Sequence, residues 1–353
     1  MFKNLKLSHS LKIKNSKLKI LFVLPLFFVL SSMFLSEVKA QSLSLSLWPP
    51  LLEVTLKPGK SITQVYKLTN EGETDLIITS QIVPFTPADE FGNVALKQTK
   101  NEINKAQDEN LPPASSPSEA TNWFSFQNAD LQLGQNFLLK AGQSQQIVLS
   151  VKIPPQAKED DYYLTLLFES QPENQSGDQS GAQAQAKIGT NILLTVSETG
   201  EPPKKAQIEQ FSLANFQFSI FNFQLIDSFT KPQFLLRVRN TGHSFFKPMG
   251  TITTTGWLEQ KFISDLLPEN VLTNSVRVIN CTSPESPDKV APCQIKSNFL
   301  FGPYQAKVEF GLDKVAADYE KQITFLALPF KLIFALLTII FILSILKLRA
   351  KNS

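Results

Sequence analysis

The residues that could carry chemistry in this 353-residue chain are few and far apart. Two cysteines, Cys281 and Cys293, lie in NCTSPESPDKVAPCQ, and the Pro/Ser/Asp-rich stretch between them has the composition of a loop. A disulfide between them would staple the base of that loop. A metal site is the alternative, but it needs more soft ligands than two, and the only histidines are His9 and His243. The pattern predicts a Cys281–Cys293 disulfide and no metal ion or other cofactor.

Catalytic constellations are equally sparse. His243 follows a Thr-Gly pair typical of a turn, which favours a solvated turn residue over a general base. The acidic run EDD at 159–161 and the PADEFGNV segment at 87–94 each offer oxygen ligands for Ca²⁺, with a solvated turn as the alternative. We therefore expect no catalytic residues and a non-enzymatic protein. A carbohydrate-active enzyme that uses paired carboxylates is the last of the alternatives.

Aromatic side chains suggest two further roles. Trp123 and Trp257 have indole rings able to stack on sugars, but each lies in a strand-like run, which favours packing in a core. Tyr163 in EDDYYLTLLFE and Tyr304 in FGPYQAKVEFG each lie at the start of such a run. Their hydroxyls could tie a corner of a β-sandwich to the main chain, and an ordinary cross-strand aromatic contact is the alternative.

The first forty residues have the pattern of a signal peptide. Six lysines and no acid in residues 1–19 precede ILFVLPLFFVLSSMFL, and Val38 and Ala40 are the small residues that signal peptidase accepts. As a helix this apolar run would reach about 24 Å, short of a hydrocarbon core of about 30 Å. We predict cleavage before Gln41, with an uncleaved anchor as the alternative.

A second apolar run, near the C-terminus, predicts a membrane-spanning helix. The interval 324–346 is long enough to cross a bilayer, and a basic tail with Lys347, Arg349 and Lys351 follows at 347–353. The positive-inside rule places this tail in the cytoplasm. We therefore expect a single-pass protein of the cell membrane whose N-terminal part lies outside the cytoplasm.

The charge of the exported part excludes one class of partner. Residues 41–320 contain 22 Lys and Arg against 30 Asp and Glu, a net charge of −8 (22 − 30), although the whole chain carries +3. The phosphates of nucleic acids would repel such a segment. We therefore expect no nucleic-acid binding.

The segment between the two apolar ends has the pattern of β-sandwich domains. Runs of four to eight residues rich in Val, Ile, Leu, Phe, Thr and Tyr alternate with Gly, Pro, Asn and Asp. Near the start, the sequence predicts an edge strand broken at Trp48-Pro49-Pro50, a turn at Pro58-Gly59, and a further strand, SITQVYKLTN. Such an opening is typical of an immunoglobulin-like sandwich.

An internal repeat indicates two copies of this domain. Residues 66–73, YKLTNEGE, and 236–243, LRVRNTGH, share a strand followed by Asn-x-Gly, a turn in which both residues tolerate positive φ. The charged double-proline segment ETGEPPKKA supplies a boundary. The predicted class is all-β, with two tandem immunoglobulin-like β-sandwiches followed by a single C-terminal transmembrane α-helix. The predicted order is a signal peptide (1–40), a first domain (41–199), a linker (200–206), a second domain (207–320), the helix (324–346) and the tail (347–353).

With these features the chain resembles the WxL-interacting proteins and related bacterial surface proteins. The resemblance covers most of residues 43–350 and is carried by LSLWPPLLEVTLKPGKSITQVYKLTNEGE, NWFSFQ, FLLKAGQSQQIVLSVKIPPQAKEDDYYLTLLF, LLPENVLTNSVRVI and FGPYQAKVEFGL. It implies a membrane-anchored, non-enzymatic binding or adhesion protein, with a first domain proposed to engage peptidoglycan and a second proposed to contact partners or host surfaces. The expected partner is thus peptidoglycan or a cell-surface protein. Two features depart from the family pattern: Asp160-Asp161 stand where glycine is usual, and the Cys281–Cys293 loop is an insertion.

An assembly factor for exported proteins is the alternative function. The broken strand at 43–56 leaves an edge to which a strand of an exported client could add, as in two-domain pilus chaperones. Those chaperones are soluble, whereas this chain carries an anchor, which favours the adhesion protein.

Overall fold

A computed structural model describes residues 44–97, 120–171, 185–215, 218–220, 223–283, 286–314 and 316–351. The predicted signal peptide and its cleavage site lie outside these residues. Within them the chain is all-β up to residue 328 apart from one short 3₁₀ turn, Thr121–Trp123, and it ends in one long helix.

In its described residues, domain 1 is a sandwich of ten strands. They are β1 (Leu45–Trp48), β2 (Leu51–Leu56), β3 (Ser61–Asn70), β4 (Leu76–Pro87), β5 (Val94–Leu96), β6 (Phe124–Phe126), β7 (Phe137–Leu139), β8 (Ser144–Lys152), β9 (Asp160–Ser170) and β10 (Lys187–Val196). One sheet has the order β1-β3-β8-β6 and the other β2-β10-β9-β4-β5, with β7 added to β4. This is the immunoglobulin arrangement, an ABED sheet facing a GFC sheet.

The first strand is broken, as the sequence predicts. Strand β1 pairs antiparallel with β3, Pro49-Pro50 interrupt it, and β2 joins the opposite sheet, where it pairs parallel with β10. Because proline has no N–H to donate to a ladder, the break falls at these two residues. The predicted turn follows at Gly59, whose φ of 76° is easily adopted only by glycine. The two parts of the broken strand, β1 and β2, therefore lie at the edges of the two sheets of domain 1.

Domain 2 repeats this topology. Its strands are β11 (Ala206–Leu213), β12 (Phe218–Ile220), β13 (Phe223–Asp227), β14 (Phe234–Asn240), β15 (Pro248–Gly256), β16 (Lys261–Asp265), β17 (Val276–Val278), β18 (Cys281–Ser283), β19 (Ser286–Ala291), β20 (Gly302–Leu312) and β21 (Tyr319–Leu328). The sheets have the orders β11-β14-β17 and β12-β13-β21-β20-β15-β16, and β18 and β19 form a hairpin. Strand β13 pairs parallel with β21, as β2 does with β10.

The Asn-x-Gly repeat marks equivalent points of the two sandwiches. Asn70 is fully buried; its Oδ1 accepts from the N–H of Gly72 at 3.0 Å, and its Nδ2 donates to the carbonyls of Thr74 at 2.7 Å and Leu139 at 3.2 Å. This amide satisfies three main-chain groups that would otherwise be buried without partners.

Asn240 makes the same three hydrogen bonds in domain 2. Its Oδ1 accepts from Gly242 at 2.9 Å, and its Nδ2 donates to the carbonyls of Ser244 and Val271, both at 2.9 Å. The predicted reason for these residues was wrong, because neither the asparagines nor their glycines have positive φ. Gly242 is needed for space, since a Cβ there would lie 2.6 Å from the main-chain nitrogen of Lys205.

Tyrosine hydroxyls tie a corner in both sandwiches. In domain 2 the hydroxyl of Tyr304 accepts from the N–H of Phe301 at 3.3 Å. In domain 1 the corner residue is Tyr162, whose hydroxyl donates to the carbonyl of Lys158 at 3.0 Å and whose ring packs edge-on against Trp123 at 4.7 Å. Trp123 therefore packs on the core, as expected, and Tyr163 faces the other way.

The two cysteines form one disulfide. The sulfur atoms of Cys281 and Cys293 lie 2.05 Å apart, and both residues are buried in the core of domain 2. The bond therefore joins the start of the β18–β19 hairpin to the chain beyond it.

The terminal helix begins later than the sequence predicts. Residues 324–328 belong to β21, which pairs with β20 and β13 and buries Phe325 and Ala327 completely. Domain 2 thus extends to Leu328 rather than residue 320, and helix α1 spans Phe330–Lys351, including most of the predicted tail. Among the described residues, α1 is the one helix long and apolar enough to cross a membrane.

Candidate binding groove between the two domains

An apolar cluster joins the two domains. Phe85 and Leu193 on the outer face of the β2-β10-β9-β4-β5 sheet pack with Leu272 of domain 2, and Tyr163 and Phe245 lie against them. Sequence reasoning missed this contact, although the sequence carries a signal for it. The run ILLTV in β10 is buried at every residue instead of at alternate residues. Such a continuous apolar run indicates a strand covered on both faces.

Asp161 is the polar centre of this contact. Its Oδ2 accepts from the N–H of Phe245 in domain 2 at 2.6 Å and from the hydroxyl of Tyr163 at 2.7 Å, and its Oδ1 accepts from Thr195 at 2.6 Å. Burial raises the pKa of this carboxyl above its ordinary value, and the hydrogen bonds partly oppose that shift. The sequence alternatives at this position, a Ca²⁺ ligand or a solvated turn, were both wrong for Asp161.

Tyr163 extends the network across the boundary. Its hydroxyl lies 2.9 Å from Oγ1 of Thr273 and accepts from the N–H of Thr273 at 3.0 Å. Burial, together with the neighbouring Asp161 carboxylate, holds the pKa of this hydroxyl well above its usual range. Tyr163 is therefore a neutral hydrogen-bonding residue of the domain contact rather than a corner tyrosine.

The PADEFGNV segment also serves the domain contact. Glu90 pairs with Arg237 at 2.7 Å, and its carbonyl accepts from the N–H of Val278 at 2.8 Å, so that this loop adds to the edge of β17. Asp89 caps the loop, because its carboxylate accepts from the side chain and main chain of Asn93, and these bonds lower its pKa. In the described residues, no group of three or more His, Cys, Asp or Glu is arranged to hold a metal ion.

A groove of about 320 Å³ lies beside this contact. Its apolar lining comes from Leu51 and Leu193 of domain 1 and Leu272 and Val276 of domain 2, among others. This volume lies at the lower end of the range for small-ligand sites, enough for one or two large side chains.

Charged residues of the groove are already paired. Glu53 pairs with Lys247 at 2.6 Å, and Arg277 pairs with Glu269 at 2.8 Å. Two polar atoms remain: Oδ1 of Asn270 and Nε of Arg277 are buried without a hydrogen-bond partner among the described residues. One is an acceptor and the other a donor, and both lie below the surface of the groove.

One side of the groove is an open strand edge. Leu56 directs its carbonyl to Ser197 on the β10 side, so that alternation along the strand turns the main-chain groups of Leu51, Glu53 and Thr55 away from β10. Glu53 as a whole residue is exposed, whereas its side chain is only 27% exposed. Much of its exposed surface therefore belongs to the main chain. No described strand pairs with this edge.

The other predicted residues lie outside the groove. His243 is exposed in its turn, as expected, and its N–H donates to the carbonyl of Pro203. The expectation that Trp257 packs in a core was wrong: this residue is 55% exposed at the far end of domain 2. Trp48, predicted above only as part of a strand break, is 70% exposed on domain 1.

Comparisons with known proteins add little to this geometry. No protein-family model and no curated protein matches the chain. The solved structures similar to it include the class 5 fimbriae chaperone CfaA, at 9% identity over 80% of this chain and 99% of the other with a TM-score of 0.34. Another is the E. coli chaperone DraB, at 12% identity over 80% and 98% with a TM-score of 0.33. A third is the CsuC–CsuE chaperone–subunit complex of Acinetobacter baumannii, at 11% identity over 81% and 99% with a TM-score of 0.32. At this level of similarity neither activity nor partner transfers to this chain.

Proposed function

We propose that this chain is a membrane-tethered, non-enzymatic binding protein that holds an extended segment of another exported protein. The single observation that carries the proposal is the open edge of β2 beside the interdomain groove. A partner strand running along this edge would pair with the outward main-chain groups of Leu51, Glu53 and Thr55. This assigns the role of the assembly factor, rather than that of a cell-wall adhesin, to domain 1.

The groove would supply the specificity that main-chain pairing lacks. In strand addition, main-chain hydrogen bonds give affinity and pockets for alternate side chains give selectivity. The lining around Leu193 and Leu272 fits an apolar side chain. A partner with one large apolar residue in an otherwise extended segment is the best match.

Export and orientation belong to the same proposal. The signal-peptide pattern of residues 1–40 directs the sandwiches out of the cytoplasm, and the basic residues at the end of α1 stay inside. The resemblance to the WxL-interacting proteins is compatible with this arrangement, since it implies an anchored, non-enzymatic surface protein. The proposed partner is then a protein that passes through or resides in the same compartment.

Thr55→Pro tests the strand edge. The N–H of Thr55 points away from β10, so that proline removes no hydrogen bond within the sheet but blocks pairing at the open edge. Thr55→Ala is the matched control, because it changes the same side chain and keeps the N–H. Partners are first identified by photo-crosslinking from residue 55 in cells, and then purified.

We expect the purified partner to bind wild type and Thr55→Ala alike and to bind Thr55→Pro about tenfold or more weakly, a loss of at least about 1.4 kcal/mol. Circular dichroism and melting temperature show whether Thr55→Pro is folded. Equal binding of all three proteins, or turnover of the partner, would contradict the proposal.

Trp48 favours a second candidate, a glycan of the cell wall. Its exposed ring lies beside Val65, Lys67, Ser144 and Gln146 on the outer face of domain 1, an aromatic platform flanked by polar groups. If this surface binds peptidoglycan, Trp48→Ala should abolish co-sedimentation with purified sacculi and Thr55→Pro should not. The opposite pattern would favour the protein partner.

A further inference from the structure

We infer that the membrane-facing end of domain 2 carries an aromatic collar that inserts into the headgroup region of the bilayer. The collar consists of Phe229, Trp257, Leu258, Phe299 and Phe301, all exposed on domain 2. The inference rests on the proposed membrane tether but not on the proposed partner. It assigns a ligand, the lipid interface, to a surface that the strand-edge function does not use.

The collar lies at the same end of the sandwich as the start of α1. Strand β20 pairs with β21 so that Gly302 is opposite Ala327, and β15 pairs with β20 so that Gly256 is opposite Tyr304. Trp257-Leu258 and Phe299–Phe301 therefore flank the point where β21 leaves the sheet. Phe229 follows β13, whose last residue, Asp227, pairs with Leu328.

The loops that carry the collar are fixed by contacts with one another. The indole Nε1 of Trp257 donates to the carbonyl of Phe301 at 2.7 Å, and the rings of Phe229 and Phe299 lie 5.3 Å apart. Gly302, at a φ of 93°, lets the indole lie across the main chain, because a Cβ there would meet the ring at 2.4 Å. The exposed aromatic surface is thus part of the fold.

Helix α1 is joined to this end of domain 2 by a short connection that hydrogen bonds hold in place. Buried Asp227 accepts from the N–H of Lys331 at 3.1 Å, which caps the first turn of α1. The N–H of Ser228 donates to the carbonyl of Leu328 at 3.0 Å. One residue, Pro329, separates β21 from α1, so that the depth of the helix in a bilayer also sets the depth of the collar.

The uncharged stretch of the helix is shorter than a hydrocarbon core is thick. Between Lys331 and Lys347 it has fifteen uncharged residues, Leu332–Leu346. These span about 22 Å, whereas a hydrocarbon core is about 30 Å thick. Long lysine side chains can cover part of this deficit by reaching outwards to the headgroups. The rest of the apolar zone meets the end of domain 2, where the collar supplies aromatic side chains of the kind enriched at membrane interfaces.

The charge of the neighbouring loops fits the same partner. Lys231, Lys261 and Lys296 are exposed around the collar, and Glu259 is the one acidic residue in the segments 228–233, 257–261 and 294–302. Domain 2 therefore presents a basic and aromatic end on a chain whose exported part is acidic. Anionic lipid headgroups complement this end better than they complement the rest of the molecule.

Spin labels on the full chain in lipid nanodiscs of phosphatidylcholine and phosphatidylglycerol test the collar. Both native cysteines are in the disulfide, so that Leu258→Cys, Val65→Cys and Ile340→Cys each introduce one labelling site. Val65 is exposed on domain 1 and is the control for water, and Ile340 in the middle of α1 is the control for lipid.

We expect the label at 258 to be relaxed more by oxygen than by a water-soluble nickel complex, as at 340 and unlike at 65. Water-like access at 258 with lipid-like access at 340 would overturn the collar and leave the tether intact. Water-like access at 340 would overturn the tether and the collar together. Dipolar broadening at 258 with shielding from both relaxants would show a second copy on this surface, and would also overturn the inference.

Tryptophan fluorescence gives an independent measurement. Nitroxide-labelled lipids should quench part of the emission of the wild type and of Trp48→Phe, and this quenched part should be lost in Trp257→Phe. Equal quenching in Trp257→Phe and wild type would count against the collar.

Discussion

Replacing Asp161 should loosen the two domains, and the size of the effect follows from its hydrogen bonds. Asp161→Ala removes the acceptor of three donors. Two of them have another partner within reach, since Thr195 lies 3.4 Å from Oγ of Ser244 and Tyr163 lies 2.9 Å from Oγ1 of Thr273. The third, the N–H of Phe245, loses the acceptor it has. An unsatisfied buried N–H costs about 1–3 kcal/mol, and with the weakened bonds of the other two donors we expect a total of about 2–4 kcal/mol.

Asp161→Asn is the matched variant, because it can keep every bond. The amide oxygen can replace Oδ2 and accept from Phe245 and Tyr163, while the amide nitrogen donates to Thr195, whose hydroxyl turns towards Ser244. It also removes the cost of burying a carboxylate. We therefore expect the docked state to change by less than about 1 kcal/mol.

Amide hydrogen exchange is the assay, read as the protection of segments 243–249 and 270–276. A loss of about 2–4 kcal/mol corresponds to a fall in protection of about 30- to 900-fold in Asp161→Ala. Strand β8 in the core of domain 1 should keep its protection and serves as the internal control. Unchanged protection in Asp161→Ala, or equal damage in Asp161→Asn, would refute the reasoning.

The pH dependence has a defined sign. Since burial raises the folded-state pKa of Asp161 above 3.8, the docked state holds this proton more tightly than the open state. The free-energy cost of burying the Asp161 charge is absent at pH values below the ordinary pKa of the carboxyl. It develops as the pH rises through the folded-state pKa. The protection of Asp161→Asn relative to wild type should therefore increase with pH across that window. A decrease would contradict the assignment.

Two further predictions concern the buried asparagines, Asn70 and Asn240, and the disulfide. Asn70→Ala and Asn240→Ala should each lower the stability of their own domain by about 2–4 kcal/mol, measured by urea unfolding, because each removes three buried hydrogen bonds. Asn→Asp should be no better tolerated, since a carboxylate cannot donate to the two carbonyls, and a mild Asn→Asp would contradict the network. Mass spectrometry of non-reduced protein should show Cys281 linked to Cys293, and Cys281→Ala/Cys293→Ala should destabilise domain 2 by about 3 kcal/mol, since the bond spans 12 positions. An unchanged urea midpoint would show that the bond contributes little.

The class of fold follows from the sequence, because period-two alternation and Pro/Gly punctuation are local properties of a strand. The broken strand at Pro49-Pro50 and the Gly59 turn follow from the covalent structure of those residues. The two copies of Asn-x-Gly located equivalent points of two sandwiches, although the hydrogen bonds that require them join residues as distant as Asn240 and Val271. The single disulfide needed no geometry, since two cysteines allow one pairing.

Which faces are covered depends on contacts between residues that are distant in the sequence. Trp123 and Trp257 both lie beside strands, yet one packs against Tyr162 and the other remains exposed beside α1, because exposure depends on distant loops. Hydropathy could not separate the apolar end of β21 from the helix, since pairing with β20 and a lipid environment both favour apolar residues. Asp161 was misassigned for the same reason: its environment comes from Phe245, 84 residues away, and no local pattern records a partner at that distance.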